Sequence, residues 1–292
     1  MKFKSYIILI FISIAAFTGF SNVYDPGSSQ KQEHRKESLL KQELAEGEAL
    51  VWYLFHSGWV IKTKKHFLIF DYWRGRGIGG AEQSLENGSI DPDEIKDLKV
   101  VVFVSHSHGD HYDRVIHEWE DRIDNIKYVF GWKASNDPKH YYITKERESM
   151  KIGDVQVDVV NHSIDGVPEA AFLVRVDGLT VYHSGDHGFY KGSKTELYES
   201  NIDYLAGLAE SVDLAFIMAV DGGGRITKYT PTIIEGAFYT ADKLNAKVLF
   251  PMHGGGFEHF YREFYDIAES KNINATIYPA SKRGDVYHFK GK

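Results

Sequence analysis

From Ala49 onward the chain runs in short apolar stretches broken by Gly, Asp and Asn, and their spacing predicts most of the elements. "LVWYLFHSGWVIKT" and "HFLIFDYW" read as two strands joined by the turn "KTKKH". "LKVVVFVSHSHGDH" holds an unbroken apolar run, Val100 to Val104, which predicts a strand buried on both faces. "DRVIHEWEDRI" switches to helical spacing, with Val115, Ile116, Trp119 and Ile123 on one face. "VQVDVVNHS" alternates and ends at His162, and "AAFLVRVDGLTVYHSGDHG" predicts a hairpin turning at Asp-Gly. "VDLAFIMAVDGGG" and "AKVLFPMHGGG" predict buried strands that run out into glycines. "TPTIIEGAFYTADKLN", with Pro231 near its first turn, and "FEHFYREFYDIAESKN" predict amphipathic helices. "NATIYPAS" and "DVYHFK" predict terminal strands. Strands precede helices and hairpins are frequent, which indicates a layered α/β domain with mixed sheets.

The start of the chain has another pattern. Lys2 and Lys4 form a basic n-region, Tyr6 to Phe20 is almost wholly apolar, and Gly19 to Ser21 put small residues before a cleavage point. Residues 1–21 therefore read as a secretory signal peptide, with an uncleaved membrane anchor as the alternative. Residues 22–48 are polar and charged, the composition of a linker or a short N-terminal helix. Residues 49–292 carry the folded domain. The expected location is secreted or periplasmic, or membrane-anchored if the segment stays attached; after cleavage no stable span remains.

Composition narrows the chemistry. A formal net charge of -7 without a basic stripe argues against nucleic acid as a partner. With 0 cysteines, disulfides, thiolate ligands and a catalytic Cys are excluded, and so is a lipidated N-terminal cysteine. Titratable residues then concentrate in one place: "SHSHGDHYD", Ser105 to Asp113, directly after the buried run. His106, His108, Asp110 and His111 form H-x-H-x-D-H. Imidazoles and a carboxylate suit Zn²⁺, and Mn²⁺ or Fe accept much the same donors. Alternate positions in an extended loop let His106 and His108 grip one ion, while Asp110 and His111 face a second. Further donors end other strands: His162, Asp186 and His253 each lead into a Gly-containing loop. Donors at several strand ends converge on one edge of a sheet, where α/β proteins bind ligands.

H-x-H-x-D-H, then His162, then Asp186 after Gly185, then His253 after Pro-x, resembles the metallo-β-lactamase-fold hydrolase superfamily over roughly residues 49 to 285. "YLFHSGWVI" and "KVLFPMHGG" look closest to the branch holding the ascorbate-phosphate lactonase and the N-acyl-phosphatidylethanolamine phospholipase D. The resemblance implies a four-layer αββα sandwich. It assigns His106, His108 and His162 to a first metal, Asp110, His111 and His253 to a second, and Asp186 to a bridge between them. Two Zn²⁺ per chain are expected. They would hold a hydroxide that attacks an ester, lactone or phosphodiester bond of a small-molecule or lipid-like substrate, with Asp110 orienting it or moving its proton. The alternatives are a β-lactamase acting on β-lactams, of which the Cys-ligand class is already excluded, and a non-catalytic metal-binding protein on the same fold.

Other residues complete the candidate set. In the resembled branch a histidine at the place of His56 lies near the active site, as a donor to substrate or to a ligand; a core histidine is the plain alternative. Asp71 is a candidate acceptor for a metal-bound imidazole. Arg74, Arg76, His187, Arg225 and Tyr229 are candidate substrate contacts, and Trp59, Trp73 and Trp132 candidate pocket walls. "GRGIGG" matches G-x-G-x-x-G but opens no amphipathic helix, so it is not read as a dinucleotide site. Intact mass of the exported protein should lack residues 1–21; a full-length mass in the soluble fraction would overturn the signal-peptide reading.

Overall fold

Along β1 (Glu48–Phe55), Ala49, Val51 and Tyr53 turn to one face and join a core cluster with residues of both sheets. That period-two alternation sets the layers. The computed structural model describes residues 39–75, 83–133, 137–164, 167–189, 195–221 and 230–291. The compact unit is Leu40–Lys292. Leu44 is buried in it, and the Lys62 ammonium donates to the Gln42 carbonyl at 2.6 Å.

The first sheet comprises β1, β2 (Gly58–Lys62), β3 (His66–Phe70), β4 (Lys99–Val104), β5 (Ile126–Phe130), β6 (His140–Tyr142) and β14 (Val286–Lys290), in the order β14-β1-β2-β3-β4-β5-β6. The second comprises β7 (Arg147–Ile152), β8 (Val155–Ile164), β9 (Val167–Val176), β10 (Leu179–His183), β11 (Val212–Met218), β12 (Ala246–Met252) and β13 (Thr276–Ile277), in the order β13-β12-β11-β10-β9-β8-β7. Both sheets are mixed. In the first, β14, β1, β2 and β3 pair antiparallel and β3 to β6 pair parallel. In the second, β7 to β10 are antiparallel and β10 to β13 parallel.

The inner faces meet in one core. Trp59 of the first sheet is fully buried and packs on Tyr53, and on Phe216 and Phe250 of the second sheet, at centroid distances of 4.9, 5.0 and 5.2 Å. It is a core residue and not a pocket wall. The outer face of the second sheet is covered by α2 (Thr195–Ala206), α3 (Thr230–Lys243) and α4 (His259–Lys271), through Ile202, Leu205, Ala237, Phe238 and Phe264. The first sheet carries α1 (Pro92–Ile95) and a 3₁₀ segment, Arg114–Asp121, where Trp119 meets Tyr72 at 4.9 Å. Helices outside two mixed sheets give the four-layer αββα sandwich. Among the described residues no helix is long and apolar enough to cross a membrane.

Several elements depart from the expected pattern, which named no strand at β5, β6 or β7 and no helix at α1. "LVWYLFHSGWVIKT" is two strands, because the chain reverses at His56–Ser57, with His56 at φ +57°. "DRVIHEWEDRI" is 3₁₀ from Arg114 to Asp121, begun by Asp113, whose carboxylate accepts from Val115 N; Ile116, Trp119 and Ile123 are buried while Val115 is only half-buried. α2 was not expected from the pattern at all. The Asp-Gly hairpin forms as expected between β9 and β10, with φ of +47° at Asp177 and +76° at Gly178.

At the end of the sandwich where that hairpin turns, His66 of the first sheet is held by two turns of the second: Nδ1 to Asp177 at 2.9 Å and Nε2 to Asp154 at 2.8 Å. Trp59→Ala should cost about 3–5 kcal/mol in denaturant unfolding, because it removes the largest ring at the inter-sheet contact. A loss under about 1 kcal/mol would show that the two sheets are not held there.

Candidate metal centre

The run Val100–Val104 is buried between parallel neighbours β3 and β5, so its C-terminal end delivers Ser105 and His106 into the interior. Beside it, β3 ends at Asp71, fully buried at φ +42°. One Asp71 oxygen accepts from Ser105 N (2.7 Å), and the other from Ser105 Oγ (2.7 Å) and His111 Nδ1 (2.8 Å). Burial opposes ionisation of this carboxylate, yet the His111 imidazole beside it lowers its pKa. The bond places the His111 proton on Nδ1 and turns the Nε2 lone pair inward.

The same logic orients the other donors. Ser105 Oγ gives its proton to Asp71, so it accepts from His106 Nδ1 (3.0 Å), and His106 Nε2 faces the site. His253 donates from Nδ1 to the Val220 carbonyl (2.8 Å), leaving Nε2 inward. Asp186 receives both groups. Its Oδ1 lies 3.0 Å from His111 Nε2 and 3.1 Å from His253 Nε2, and its Oδ2 lies 3.6 Å from His106 Nε2. His108 Nδ1 stands 3.0 Å from His106 Nε2. Two sets of donors result: His106, His108 and Asp186; and Asp110, His111 and His253 with His56 beside them. His111 Nε2 and Asp186 Oδ1 are buried and close, yet neither finds a partner in hydrogen-bond geometry. Preset lone pairs converging around one carboxylate fit a pair of divalent cations.

Electrostatics follow the packing. Burial pulls His111 down, but Asp186 and Asp71 outweigh it and raise it well above the usual imidazole range. Burial pulls His253 down as well, and Asp186 raises it overall. Burial would raise Asp186, yet His111 and His253 hold it well below the carboxylate range. His106 falls to about 4, first through burial and then through His111.

His56 behaves differently. Its Nδ1 accepts from Gly255 N at 3.2 Å, so a neutral ring carries its proton on Nε2, 3.6 Å from Asp110 Oδ2. Burial and then His253 and His111 push its pKa well down, which keeps it neutral. In that tautomer its Nε2–H points to the site as a hydrogen-bond donor. Its loop is fixed by Tyr53, whose hydroxyl accepts from His56 N (2.9 Å), and by Tyr261, whose hydroxyl donates to His56 O (3.2 Å) and accepts from Gly254 N (2.8 Å). Nothing in the sequence marks either tyrosine for this role. Gly185, at φ +53°, lets the Asp186 loop approach; a Cβ there would lie 2.6 Å from Ser105 Cβ.

The remaining candidates sort plainly. His162 does not join either donor set. Strand register places it opposite Glu169, with 3.4 Å from Nε2 to the carboxylate, and its ring meets His187 at 4.5 Å. Glu169 was not anticipated; the register of the β8–β9 hairpin is the signal that finds it. His187 is buried and stacks on Tyr198 at 4.7 Å, facing α2. Arg74 is engaged by Asp113 through two bonds of 2.7 and 3.1 Å. His183 is satisfied by Ser57 O and Gly185 N. Trp73 stands edge-on to His56 at 5.7 Å, and Trp132 packs on Tyr112. Arg76, Arg225 and Tyr229 lie outside the described residues.

Known proteins share this fold. The family model described as the beta-lactamase superfamily domain matches residues 50–253. A UPF0173 metal-dependent hydrolase of Pyrococcus furiosus is 25% identical over 215 residues, covering 70% of this chain and 83% of its own length. The UPF0173 metal-dependent hydrolase YtkL of Bacillus subtilis is 26% identical over 220 residues, covering 70% and 84%. Among solved structures, Igni18, a metallo hydrolase of Ignicoccus hospitalis, superposes with a TM-score of 0.58 at 20% identity, covering 84% of this chain and 100% of that one. The isothiocyanate hydrolase from Delia radicum gut bacteria gives 0.52 at 12% identity, covering 82% and 98%. At these identities the structural likenesses speak for the fold, and the domain match for descent: the chain belongs to the metallo-β-lactamase-fold superfamily of metal-dependent hydrolases.

Proposed function

We propose that this chain hydrolyses an ester, lactone or phosphodiester bond with two divalent ions, Zn²⁺ in the first instance, held at the His/Asp centre. The observation that carries the reading is Asp186, which offers one oxygen to each of two imidazole groups whose lone pairs are already turned inward. His106 and His108 would hold the first ion, and Asp110, His111 and His253 the second. His162 is carried by the family resemblance as a further donor to the first, and its approach to Glu169 is the contact that must give way. Bound there, the ions supply an ionised water near neutral pH and a Lewis acid at the substrate oxygen.

The protein's own groups do the rest. Asp110 is 43% exposed at its side chain and faces both His56 and the donor cluster. It accepts a proton from the attacking water and passes it to the leaving oxygen. The His56 Nε2–H, held neutral by burial, donates to the oxygen on which charge develops. Trp73 supports the His56 ring and gives the mouth an apolar wall. Asp71 and Ser105 hold His111 and His106 in the tautomer that binding requires. The basic, then apolar N-terminus supports placing this activity outside the cytoplasm.

Purified protein should hydrolyse a member of a panel of phosphodiester, lactone and β-lactam substrates, and a chelator should abolish turnover. Turnover of β-lactams alone would replace the ester reading, and chelator-resistant turnover would end the metal reading. Asp110→Ala should lower kcat by about 100-fold or more while the chain stays folded. Asp71→Asn should weaken metal binding by about 10–100-fold in a chelator competition. An unchanged affinity would mean that His111 does not depend on Asp71.

A further inference from the structure

A second cluster of metal-ligating side chains lies away from the centre just described, on the outer face of the first sheet. His117 and Glu120 are three residues apart on the 3₁₀ segment Arg114–Asp121. A 3₁₀ turn eclipses positions i and i+3, so both side chains project to one side, which an α-helix would do less closely. Below them β6 pairs with β5 and sets His140 opposite Tyr128. One carboxylate oxygen of Glu120 then lies 2.7 Å from His140 Nε2 and 3.4 Å from His117 Nδ1.

We propose that His117, Glu120 and His140 form a third divalent-cation site of the zinc class, separate from the hydrolytic centre. Two imidazoles and one carboxylate are a zinc donor set that leaves a position for water. Donors at about 2.0–2.1 Å around a tetrahedral ion stand roughly 3.3 Å apart, so the pair at 3.4 Å is already spaced for one. The pair at 2.7 Å must open by about 0.6 Å to reach that spacing.

The groups behind the rings suit the role. His117 Nε2 lies 2.7 Å from the Tyr112 hydroxyl, and His140 Nδ1 lies 3.2 Å from the Tyr142 hydroxyl. When the phenols accept, each ring keeps its proton on the outer nitrogen, and both inner lone pairs face the carboxylate. Only a cation or a shared proton makes that arrangement favourable. The rings are also fixed in place. His117 lies nearly parallel to Tyr128 and Phe130 at 5.9 Å from each, and His140 stands edge-on to the same rings at 5.0 and 5.3 Å. Burial, and then Glu120 and Asp137, push the nearby Tyr128 hydroxyl well above its ordinary value. Lys139 reaches the Glu120 carbonyl at 3.2 Å and leaves the carboxylate to the histidines. The His117 side chain is 35% exposed, which provides a way in for the ion. Through Tyr112, the residue after His111, an ion here would fix the Tyr112–Trp132 wall beside the catalytic loop.

The test uses the full-length protein with its main centre loaded, Zn²⁺ as the probe, and no assay of activity. Metal analysis after dialysis against micromolar zinc should find one more ion per chain in the wild type than in Glu120→Gln and His140→Gln. Crystals should show anomalous density for zinc between the three side chains. Nitrogen NMR of the wild type should place the protons on His117 Nε2 and His140 Nδ1 when zinc is present. Equal ion counts in wild type and folded variants would overturn the proposal. So would density that appears only at millimolar zinc, or protons found on the inner nitrogens with zinc present. If the variants do not fold, the anomalous and NMR results on the wild type decide alone.

Discussion

The Asp71 carboxylate, shut away from solvent at the end of β3, accepts three hydrogen bonds and thereby organises the metal centre. A charge buried that deeply is costly unless it is fully bonded. Here the bonds come from Ser105 and His111, so stabilising the charge and positioning two ligands are one act. Ser105 passes the constraint on to His106. His111 turns its Nε2 toward Asp186, while His253 is oriented separately by the Val220 carbonyl. The centre is a relay of orientations that starts from a residue unable to touch substrate.

The sandwich supplies the stiffness such a relay needs. Trp59, Phe216 and Phe250 fill the space between the sheets, while the His66 contacts to Asp154 and Asp177 tie the two sheets at the hairpin end. Burial would raise the Asp177 carboxyl, but bonds from Thr63 and His66 hold it below its ordinary value. Its contribution to stability is therefore fully present above the ordinary carboxylate range and disappears as the pH falls through the lowered value. Interdigitated rings and charged ties together resist sliding of one sheet over the other, which would spread the donors apart.

The main strands and the donor run were readable because they obey simple periods. Val100 to Val104 shows no alternation and is buried on both sides, and H-x-H-x-D-H follows directly. What escaped reading depends on contacts between distant segments. The turn at His56–Ser57 carries no glycine at its left-handed position, and it is held by Tyr53 and Tyr261, the latter over two hundred residues away. Glu169 meets His162 only through hairpin register. Asp71 looked equally like a turn residue until its three donors were placed. In α2 the buried face mixes Tyr198, Ile202 and Leu205 with a buried Asn201, which dilutes the helical signal.

Each sheet runs through the same sequence of pairings, antiparallel first and parallel after, and the C-terminal β14 completes the first sheet beside β1. The donors divide between them. His106, His108, Asp110 and His111 follow a strand of the first sheet, whereas Asp186 and His253 follow strands of the second. Each donor set draws on both sheets, so the centre is a seam property: its donors meet only while the two sheets are closed on each other.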